Sequence, residues 1–509
     1  MERPNLLVLL TDQQGAATVE PESPCLLPNV DRIASEGARF SRCYASNPIC
    51  SPSRASLFTG VLPHVHGMVN VTHGVEPYAA RFRDELETWS ERLDEAGYRT
   101  GYFGKWHVER SGELERFGFD EYEIFRSAAY GRNFADYRRE RGLDPDRDPT
   151  ADPDDARWIH DEGYEDFLVY GVHDEPEGTS ERYVYDRGIE FVRDAAERDE
   201  PWALVLSTYG PHDPYVPPRE CYERYDPAAI PKPASFHDPM RDKPTIYRRQ
   251  REVWDDLSWS EFAEATAHYY AYCSHIDDQI GRLRAVLADT GQDDETAIVH
   301  TADHGDYMGA HGLLLKGLPA FEEAYRVPLV IRWPGEKAEI VRDDPVQLHD
   351  VGPTILELVG IEDPFPRRSR LDPRNPHARG GANIQALTDP PSFRARSLVP
   401  FLRDERPDGY VPEAYAEFHG QDFGWTQRVY WHEDGKYVFN TFDRDESYDL
   451  EADPQELLNV AEDPEYEETV KELAGRMWEI ARETGDYAIS ELHYGMHRFA
   501  PVGPNDPEE

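Results

Sequence analysis

The chain has 509 residues, with 100 Asp and Glu against 54 Lys and Arg, and a formal net charge of −46. The acidic residues alternate with apolar runs instead of forming a tail, which excludes a disordered acidic segment and makes nucleic acid and anionic membranes poor partners. The length allows a large α/β domain plus a smaller one. The spread of charge favours a halophilic surface, screened at molar salt, over a site for a specific cationic partner.

The first apolar run, Asn5–Leu10, is short and lacks a small-residue cleavage site, so it predicts a buried strand rather than a signal peptide. No later apolar stretch approaches the length of a bilayer span. The five cysteines are an odd number without paired spacing, which does not suggest a disulfide framework. We therefore expect a soluble, cytoplasmic protein.

Several apolar runs of strand length share one layout, because each leads into polar or glycine-containing residues. The runs are Asn5–Leu10, Arg99–Phe103, Trp202–Ser207, Thr296–His300 and Val327–Ile331. Helix-like stretches lie between them, among them Glu85–Ala96 and Phe262–Leu287. This alternation predicts an α/β fold, with a large and mostly parallel sheet between helices. In such sheets ligands collect beyond the carboxyl ends of the strands.

The pattern changes from about Tyr410 onward. Short strands are predicted at Tyr410–Phe418, Val429–His432 and Tyr437–Thr441, and a helix at Tyr466–Thr484. We therefore expect a catalytic domain over residues 1–400 and a smaller domain of antiparallel sheet and helix over 401–509. Two segments rich in charge, proline and glycine, Arg126–Thr179 and Asp363–Arg396, are predicted to be long loops.

The sharpest local signal is the string Cys50-Ser-Pro-Ser-Arg-Ala-Ser-Leu-Phe-Thr-Gly60. Pro52 suits a first helical turn and Gly60 suits a helix C-cap, which places Cys50 at a helix N-terminus that favours anions. Arg54 lies one turn away on the same face. A lone cysteine of this kind is usually an inert buried residue, so the full string carries the argument.

This string resembles the formylglycine signature of type I sulfatases, in the alkaline-phosphatase superfamily. The resemblance implies that a formylglycine-generating enzyme oxidises Cys50 to an aldehyde, 3-oxoalanine, which is hydrated to a geminal diol. One hydroxyl then attacks sulfur, and the other expels sulfate by reforming the aldehyde. The resemblance covers most of the chain.

The same resemblance implies a divalent cation held by residues from several strand ends: Asp12, Gln13, modified Cys50, Asp303 and His304. Oxygen-rich ligation favours Ca²⁺, while the histidine leaves Mn²⁺ and Mg²⁺ open. Gln13 departs from the family's frequent pair of adjacent acids. Because Asp-Gln also occurs in members that resemble phosphonate monoester hydrolases, this residue leaves the choice between sulfur and phosphorus open.

Five more residues match family positions around the sulfate: Arg54, Lys105, His107, His212 and Lys316. The resemblance implies that Arg54, Lys105 and Lys316 offset charge on the sulfate oxygens. His107 would contact the diol, and His212 would protonate the leaving alcohol. For His349 we expect a packing role, and for His419 and Trp425 an ordinary interface.

The predicted function is hydrolysis of a sulfate monoester, with a sulfated carbohydrate as the preferred substrate class. Two alternatives stay open. One is a phosphodiesterase or phosphonate monoester hydrolase on the same scaffold, and the other is a silent anion-binding protein with an unmodified Cys50.

Overall fold

The computed structural model describes residues 3–74, 83, 86–146, 151–160, 162–335, 339–361, 365, 395–407, 409–421, 423–490 and 500–503. Most of the predicted loop Asp363–Arg396 lies outside these residues. In the part of the chain that is described, no helix is both long and apolar enough to cross a bilayer.

The strands, in chain order, are β1 (Asn5–Thr11), β2 (Gly37–Tyr44), β3 (Arg99–Gly104), β4 (Glu121–Ile124), β5 (Arg157–Ile159), β6 (Phe167–Tyr170), β7 (Trp202–Ser207), β8 (Thr296–Ala302), β9 (Arg326–Arg332), β10 (Ile340–Arg342), β11 (Val346–Gln347), β12 (Glu413–Gly420), β13 (Gly424–His432), β14 (Gly435–Asn440) and β15 (Glu446–Asp449). The main sheet has the order β10-β2-β9-β8-β1-β7-β3-β4, with β11 also paired to β2. Strand β9 runs antiparallel to β2 and β8, and the other pairings described in this sheet are parallel. This confirms the predicted mixed, mostly parallel sheet.

The helices are α1 (Pro28–Ser35), α2 (Cys50–Thr59), α3 (Pro63–His66), α4 (Trp89–Glu95), α5 (Ala128–Glu140), α6 (Ser180–Ala195), α7 (Arg219–Tyr222), α8 (Thr245–Glu252), α9 (Trp259–Asp289), α10 (Glu322–Tyr325), α11 (Val351–Leu358), α12 (Glu467–Thr484) and α13 (Tyr487–Ser490). Helices α1, α6 and α9 pack on one face of the main sheet, where alternate strand residues such as Leu7 and Leu9 point. Helices α2, α4 and α11 cover the opposite face, against residues such as Leu6 and Val8. Both faces of the sheet are therefore buried, as its continuous apolar strands require.

The C-terminal sheet has the order β12-β13-β14-β15, with antiparallel pairing throughout the described strands. Helix α12 packs on one face, where Phe439 meets Trp478 at a ring-centroid distance of 5.0 Å. On the other face, Trp431 stacks on Tyr44 of the main sheet at 4.4 Å. The small antiparallel sheet with one helix matches the prediction, while a domain boundary at residue 400 stays a proposal.

Buried charged groups join the C-terminal sheet to the rest of the molecule. We call this group of residues the seam: His64, Glu322, Glu417, Arg428, Lys436, Glu456 and Asp486. Arg428 binds Asp486 through two hydrogen bonds, of 2.6 and 3.1 Å. Lys436 Nζ lies 2.6 Å from Glu456 and 3.1 Å from Glu322.

Several predicted elements need correction. The helix predicted at Glu85–Ala96 begins only at Trp89, because Thr88 and Glu91 form a capping box there. The segment Arg126–Thr179, predicted to be a loop, contains helix α5 and the β5–β6 hairpin. Most of the charged residues of helix α5 are exposed, although Arg138 is buried, and their number hides the apolar pattern in the sequence.

Candidate active site

Four adjacent parallel strands, β8-β1-β7-β3, end at the same edge of the main sheet. Backbone hydrogen bonds continue beyond the strands, from Asp303 N to Thr11 O at 3.3 Å and from Lys105 N to Ser207 O at 2.8 Å. The residues that follow these strands are therefore held side by side. We call this region the carboxyl edge. It brings Asp12, Lys105, His212 and Asp303 together from distant parts of the sequence.

Helix α2 begins at Cys50 and ends at Gly60, whose φ of 69° is left-handed, as a C-cap glycine allows. All of the helix is buried. The Cys50 thiol Sγ lies 3.3 Å from His304 Nε2 and 3.8 Å from Asp12 Oδ1. The predicted helix and the position of Cys50 at its N-terminus are both present.

Asp12, Cys50, Asp303 and His304 form a buried cluster in which one ligand atom of each lies within 4.8 Å of the others. His304 Nδ1 lies 3.0 Å from Gly305 O. Because a carbonyl only accepts, Nδ1 carries a hydrogen and Nε2 faces the cluster, where it offers its lone pair when the ring is neutral. Two carboxylate groups and this lone pair are a suitable donor set for a divalent cation.

Arg54 holds the two carboxylates of this cluster. Its guanidinium donates to Asp303 Oδ2 at 2.6 Å and to Asp12 Oδ2 at 3.0 Å, and the side chain is fully buried. A third bond, of 2.7 Å, reaches Lys105 O. These contacts orient the carboxylates, whereas contact between Arg54 and a sulfate oxygen stays a prediction.

The Gln13 amide has a defined orientation. Nε2 donates to Asp306 Oδ2 at 2.5 Å, and Oε1 accepts from Lys316 Nζ. A carboxylate only accepts and an ammonium only donates, so the amide oxygen faces Lys316. The backbone of Gln13 is left-handed, with a φ of 66°, and its N–H donates to Asp303 Oδ1 at 3.0 Å. Such strain is typical of functional sites.

The charges of the cluster shift its pKa values in different directions. Burial opposes ionisation of Cys50, but Lys105, Lys316 and His304 outweigh burial and lower the pKa of the thiol well below its usual value. Burial and the nearby charge of Asp12 raise the pKa of Asp303. An excess of positive charge therefore faces Cys50, as binding of an anion there requires.

A cavity of about 640 Å³ opens onto Cys50 and is lined by Lys105, His107, His212 and Lys316. Lys105 Nζ lies 3.8 Å from the Cys50 sulfur and 2.5 Å from Asp12. Burial lowers the pKa of His107 to about 4, and its interaction with Cys50 opposes this shift. All the residues predicted for the site thus lie in or beside one cluster, although their individual roles stay predictions.

Comparison with known proteins identifies the family. A model of the sulfatase family matches residues 4–361. The chain belongs to the sulfatase family. Relatives of this sulfatase include the uncharacterized sulfatase YidJ of Escherichia coli, 29% identical over 91% of this chain and 84% of the relative. The choline-sulfatase of Rhizobium meliloti is 29% identical over 91% of this chain and 83% of its own length.

Solved structures support the same fold for this sulfatase. The phosphonate monoester hydrolase SpPMH from Silicibacter pomeroyi superposes with a TM-score of 0.75 at 23% identity, covering 96% of this chain and 97% of the other. A structure in complex with its substrate D-glucosamine-2-N,6-O-disulfate gives a TM-score of 0.71 at 23% identity, covering 95% and 99%. At these identities the likeness concerns the fold alone.

Sequence reasoning missed several residues of this sulfatase's site. Asp306, which fixes Gln13, follows the Asp303-His304-Gly305 string directly, and this position could have marked it. Gln421 lines the cavity from the turn after β12, and no sequence signal indicated it.

The contacts of His349, His419 and Trp425 are consistent with the packing and interface roles that were expected for them. His349 hydrogen-bonds to Ser46 at 2.9 Å, and His419 contacts Glu417 at 2.8 Å. Trp425 packs against the core.

Proposed function

We propose that this sulfatase hydrolyses a sulfate monoester, with Cys50 converted to formylglycine as its nucleophile. One observation carries the proposal: the Cys50 side chain reaches the floor of the cavity and shares a buried cluster with Asp12, Asp303 and His304. The modified side chain would supply one hydroxyl that attacks sulfur and a second whose deprotonation restores the aldehyde and releases sulfate. A formylglycine-generating enzyme is then the maturation partner.

We propose one divalent cation, held by Asp12, Gln13, Asp303, His304 and modified Cys50. The donor set fits, because the His304 lone pair and two carboxylates converge there. Oxygen-rich ligation favours Ca²⁺ over Mn²⁺ and Mg²⁺. When bound, the cation supplies Lewis-acid polarisation of a sulfate oxygen and lowers the pKa of the attacking hydroxyl.

The remaining side chains bind and orient the ester. Lys105 and Lys316, both largely buried, offset the charge of the sulfate oxygens. His107 holds the nucleophile through its contact with Cys50. His212 Nε2 lies 3.9 Å from Asp12 Oδ1, on the side where the leaving oxygen would sit, and donates the proton that this oxygen needs.

A sulfated carbohydrate is the proposed substrate class. The cavity carries amide groups of Gln250 and Gln421 and the aromatic rings of Phe125 and Tyr209, which suit hydroxyl groups and a sugar ring. A relative from Bacteroides thetaiotaomicron, 25% identical, is an N-acetylglucosamine-6-O-sulfatase. A screen of sulfated saccharides against simple aryl and alkyl sulfates tests this, and action on non-sugar sulfates alone would exclude it.

Gln13 motivates a second candidate, a phosphodiesterase or phosphonate monoester hydrolase. A neutral amide at this position removes one negative charge beside the cation that an aspartate would bring. Rates on an aryl sulfate and on the matching aryl phosphodiester, measured with one preparation, decide between the two. A higher kcat/KM on the phosphodiester would replace the sulfatase proposal.

Peptide mass spectrometry at Cys50 is the direct test of the nucleophile. We expect the mass of formylglycine in protein from the native host, or in protein expressed together with the modifying enzyme. An intact thiol in the native host would favour the silent anion-binding protein. A companion assay across KCl concentrations tests the proposed halophilic surface, for which kcat/KM should persist at molar salt.

A further inference from the structure

Asp213 lies beside His212 in the cavity, and the site described above gives it no role. Its Oδ1 is 3.2 Å from His212 Nδ1 and 3.8 Å from Lys316 Nζ, with the side chain 14% exposed. The same Oδ1 is buried and has no well-aligned hydrogen-bond partner among the described residues. A buried carboxylate oxygen left in this state costs free energy, which calls for a compensating function.

The surroundings of the His212 ring fix its orientation. Nδ1 faces two acceptors, the Asp213 backbone oxygen at 2.8 Å and the Asp213 carboxylate. It therefore carries a hydrogen, and Nε2 is turned toward Lys316 Nζ at 2.5 Å and the reaction centre. The Tyr209 ring packs against the His212 ring at a centroid distance of 4.9 Å, and its hydroxyl donates to the Asp213 backbone oxygen at 3.2 Å.

His212 and Lys316 lie side by side in a partly buried cavity. The ring therefore needs a partner that fixes which nitrogen faces the reaction centre. Asp213 is the carboxylate closest to Nδ1, while Asp12 faces the other end of the ring and belongs to the proposed cation site. The two carboxylates therefore serve opposite ends of the imidazole.

We propose that Asp213 is a positioning residue for His212. Its carboxylate lies against Nδ1, beside the backbone oxygen that accepts the Nδ1 hydrogen, and so keeps Nε2 turned to the leaving group. As the sulfur–oxygen bond breaks, the ester oxygen takes the bonding electron pair and the proton from Nε2. This inference rests on the proposed function, because it assigns a role within the same reaction.

The test uses the basicity of the leaving group. An ester with a weakly basic leaving group, such as 4-nitrophenyl sulfate, needs little proton donation, whereas phenyl sulfate and alkyl sulfates need much. We expect Asp213→Asn to lower kcat/KM by about 10- to 100-fold for phenyl and alkyl sulfates and by less than about 3-fold for 4-nitrophenyl sulfate. A residue that only held Lys316 against the sulfate group would affect all three esters alike.

Glu109→Gln is the matched control. It removes the same charge from the same cavity without a described contact to His212, so it should change kcat/KM by one factor for every ester. Asp213→Glu keeps the charge and shifts it by one methylene. If Asp213→Asn does not fold, this variant should still show a selective loss on phenyl and alkyl sulfates.

An equal loss on all esters, or no loss, would overturn the role of Asp213. If the wild-type protein cleaves only phosphodiesters, the same comparison with 4-nitrophenyl and phenyl phosphodiesters tests the role of Asp213 separately from sulfatase activity. If the wild type, with Cys50 shown to be modified, cleaves neither ester class, the proposed function is wrong and the role of Asp213 falls with it.

Discussion

The carboxyl edge and the seam both bury arginine, lysine, histidine and carboxylate groups, and both contain a cluster with metal-like spacing. In the seam these ligands are His64, Glu417 and Asp486. There, Arg428 occupies both oxygens of Asp486, and Glu417 accepts from His64 Nδ1 at 2.5 Å. At the carboxyl edge, the Cys50 side chain lines a cavity instead.

The difference shows that burial of charge does not by itself mark a functional site. In the seam, bonds between the charged partners satisfy the carboxylates and stabilise the fold. The carboxylates of the carboxyl edge are also bonded, by Arg54 and Lys105. The difference is that Cys50, Lys105 and Lys316 line an open cavity there. Four predictions, beginning with the largest expected effect, test this contrast.

Cys50→Ala should lower kcat/KM by at least about 10⁴-fold, since removing a nucleophile leaves only binding and electrostatic effects. The fold should persist, as thermal unfolding would show. Cys221→Ala, at another fully buried cysteine, is the matched control and should keep its activity. Near-wild-type turnover of Cys50→Ala would show that Cys50 is not the nucleophile.

Asp486→Asn should lower the free energy of unfolding by about 3–5 kcal/mol, because it leaves the buried Arg428 without its charge partner. At temperatures where the variant is folded, kcat/KM should stay within about 2-fold of wild type. Glu479→Gln breaks an exposed pair with Arg476 and should cost less than about 0.5 kcal/mol. Urea unfolding measures both, and equal costs would contradict the contrast.

A divalent cation should stabilise the carboxyl edge and not the seam. At 100 times its Kd, Ca²⁺ should raise the free energy of unfolding by about 2.7 kcal/mol, and a chelator should reverse the change. Asp303→Asn should abolish this increase, whereas Asp486→Asn should retain it. Thermal unfolding with and without Ca²⁺ is the readout. If only Asp486→Asn lost the Ca²⁺-dependent increase in stability, the cation would have to bind at the seam instead.

The seam should also lose stability at alkaline pH. Burial disfavours a charged His64, but Glu417 outweighs burial and raises the pKa of His64 to about 9, against about 6.5 when unfolded. The contribution, about 3 kcal/mol, is complete below pH 6.5 and is lost as the pH rises through 9.

His64→Gln should therefore flatten the alkaline part of the stability profile, measured by urea unfolding between pH 6 and 10. His300→Gln is the control, because burial lowers the pKa of His300 to about 4. Its contribution is lost toward acid pH, so this variant should keep the alkaline loss. An unchanged alkaline slope in His64→Gln would rule out the pairing with Glu417 as its cause.

The sequence predicted the strands that carry the site because each is a short apolar run followed by polar residues. It missed β2 and β15, because neither is a continuous apolar run of the kind that marked the other strands. The predicted contact of Arg54 with the sulfate stays a prediction, since a spacing of four residues shows only which helix face a side chain shares. The contacts of its guanidinium with Asp12 and Asp303 depend on two other strands.

Local sequence by itself determined the helix that begins at Cys50, the strand ends at Asp12 and Asp303, and the family to which these motifs belong. These features could be predicted because they depend on residues that are neighbours in the sequence and on the spacing of apolar residues. Tertiary structure decided which polar groups are paired: Asp306 fixes Gln13, Arg54 binds Asp12 and Asp303, and Arg428 binds both oxygens of Asp486. These residues are far apart in the sequence and meet only because the sheets and helices pack together, so their spacing along the chain does not predict the pairs.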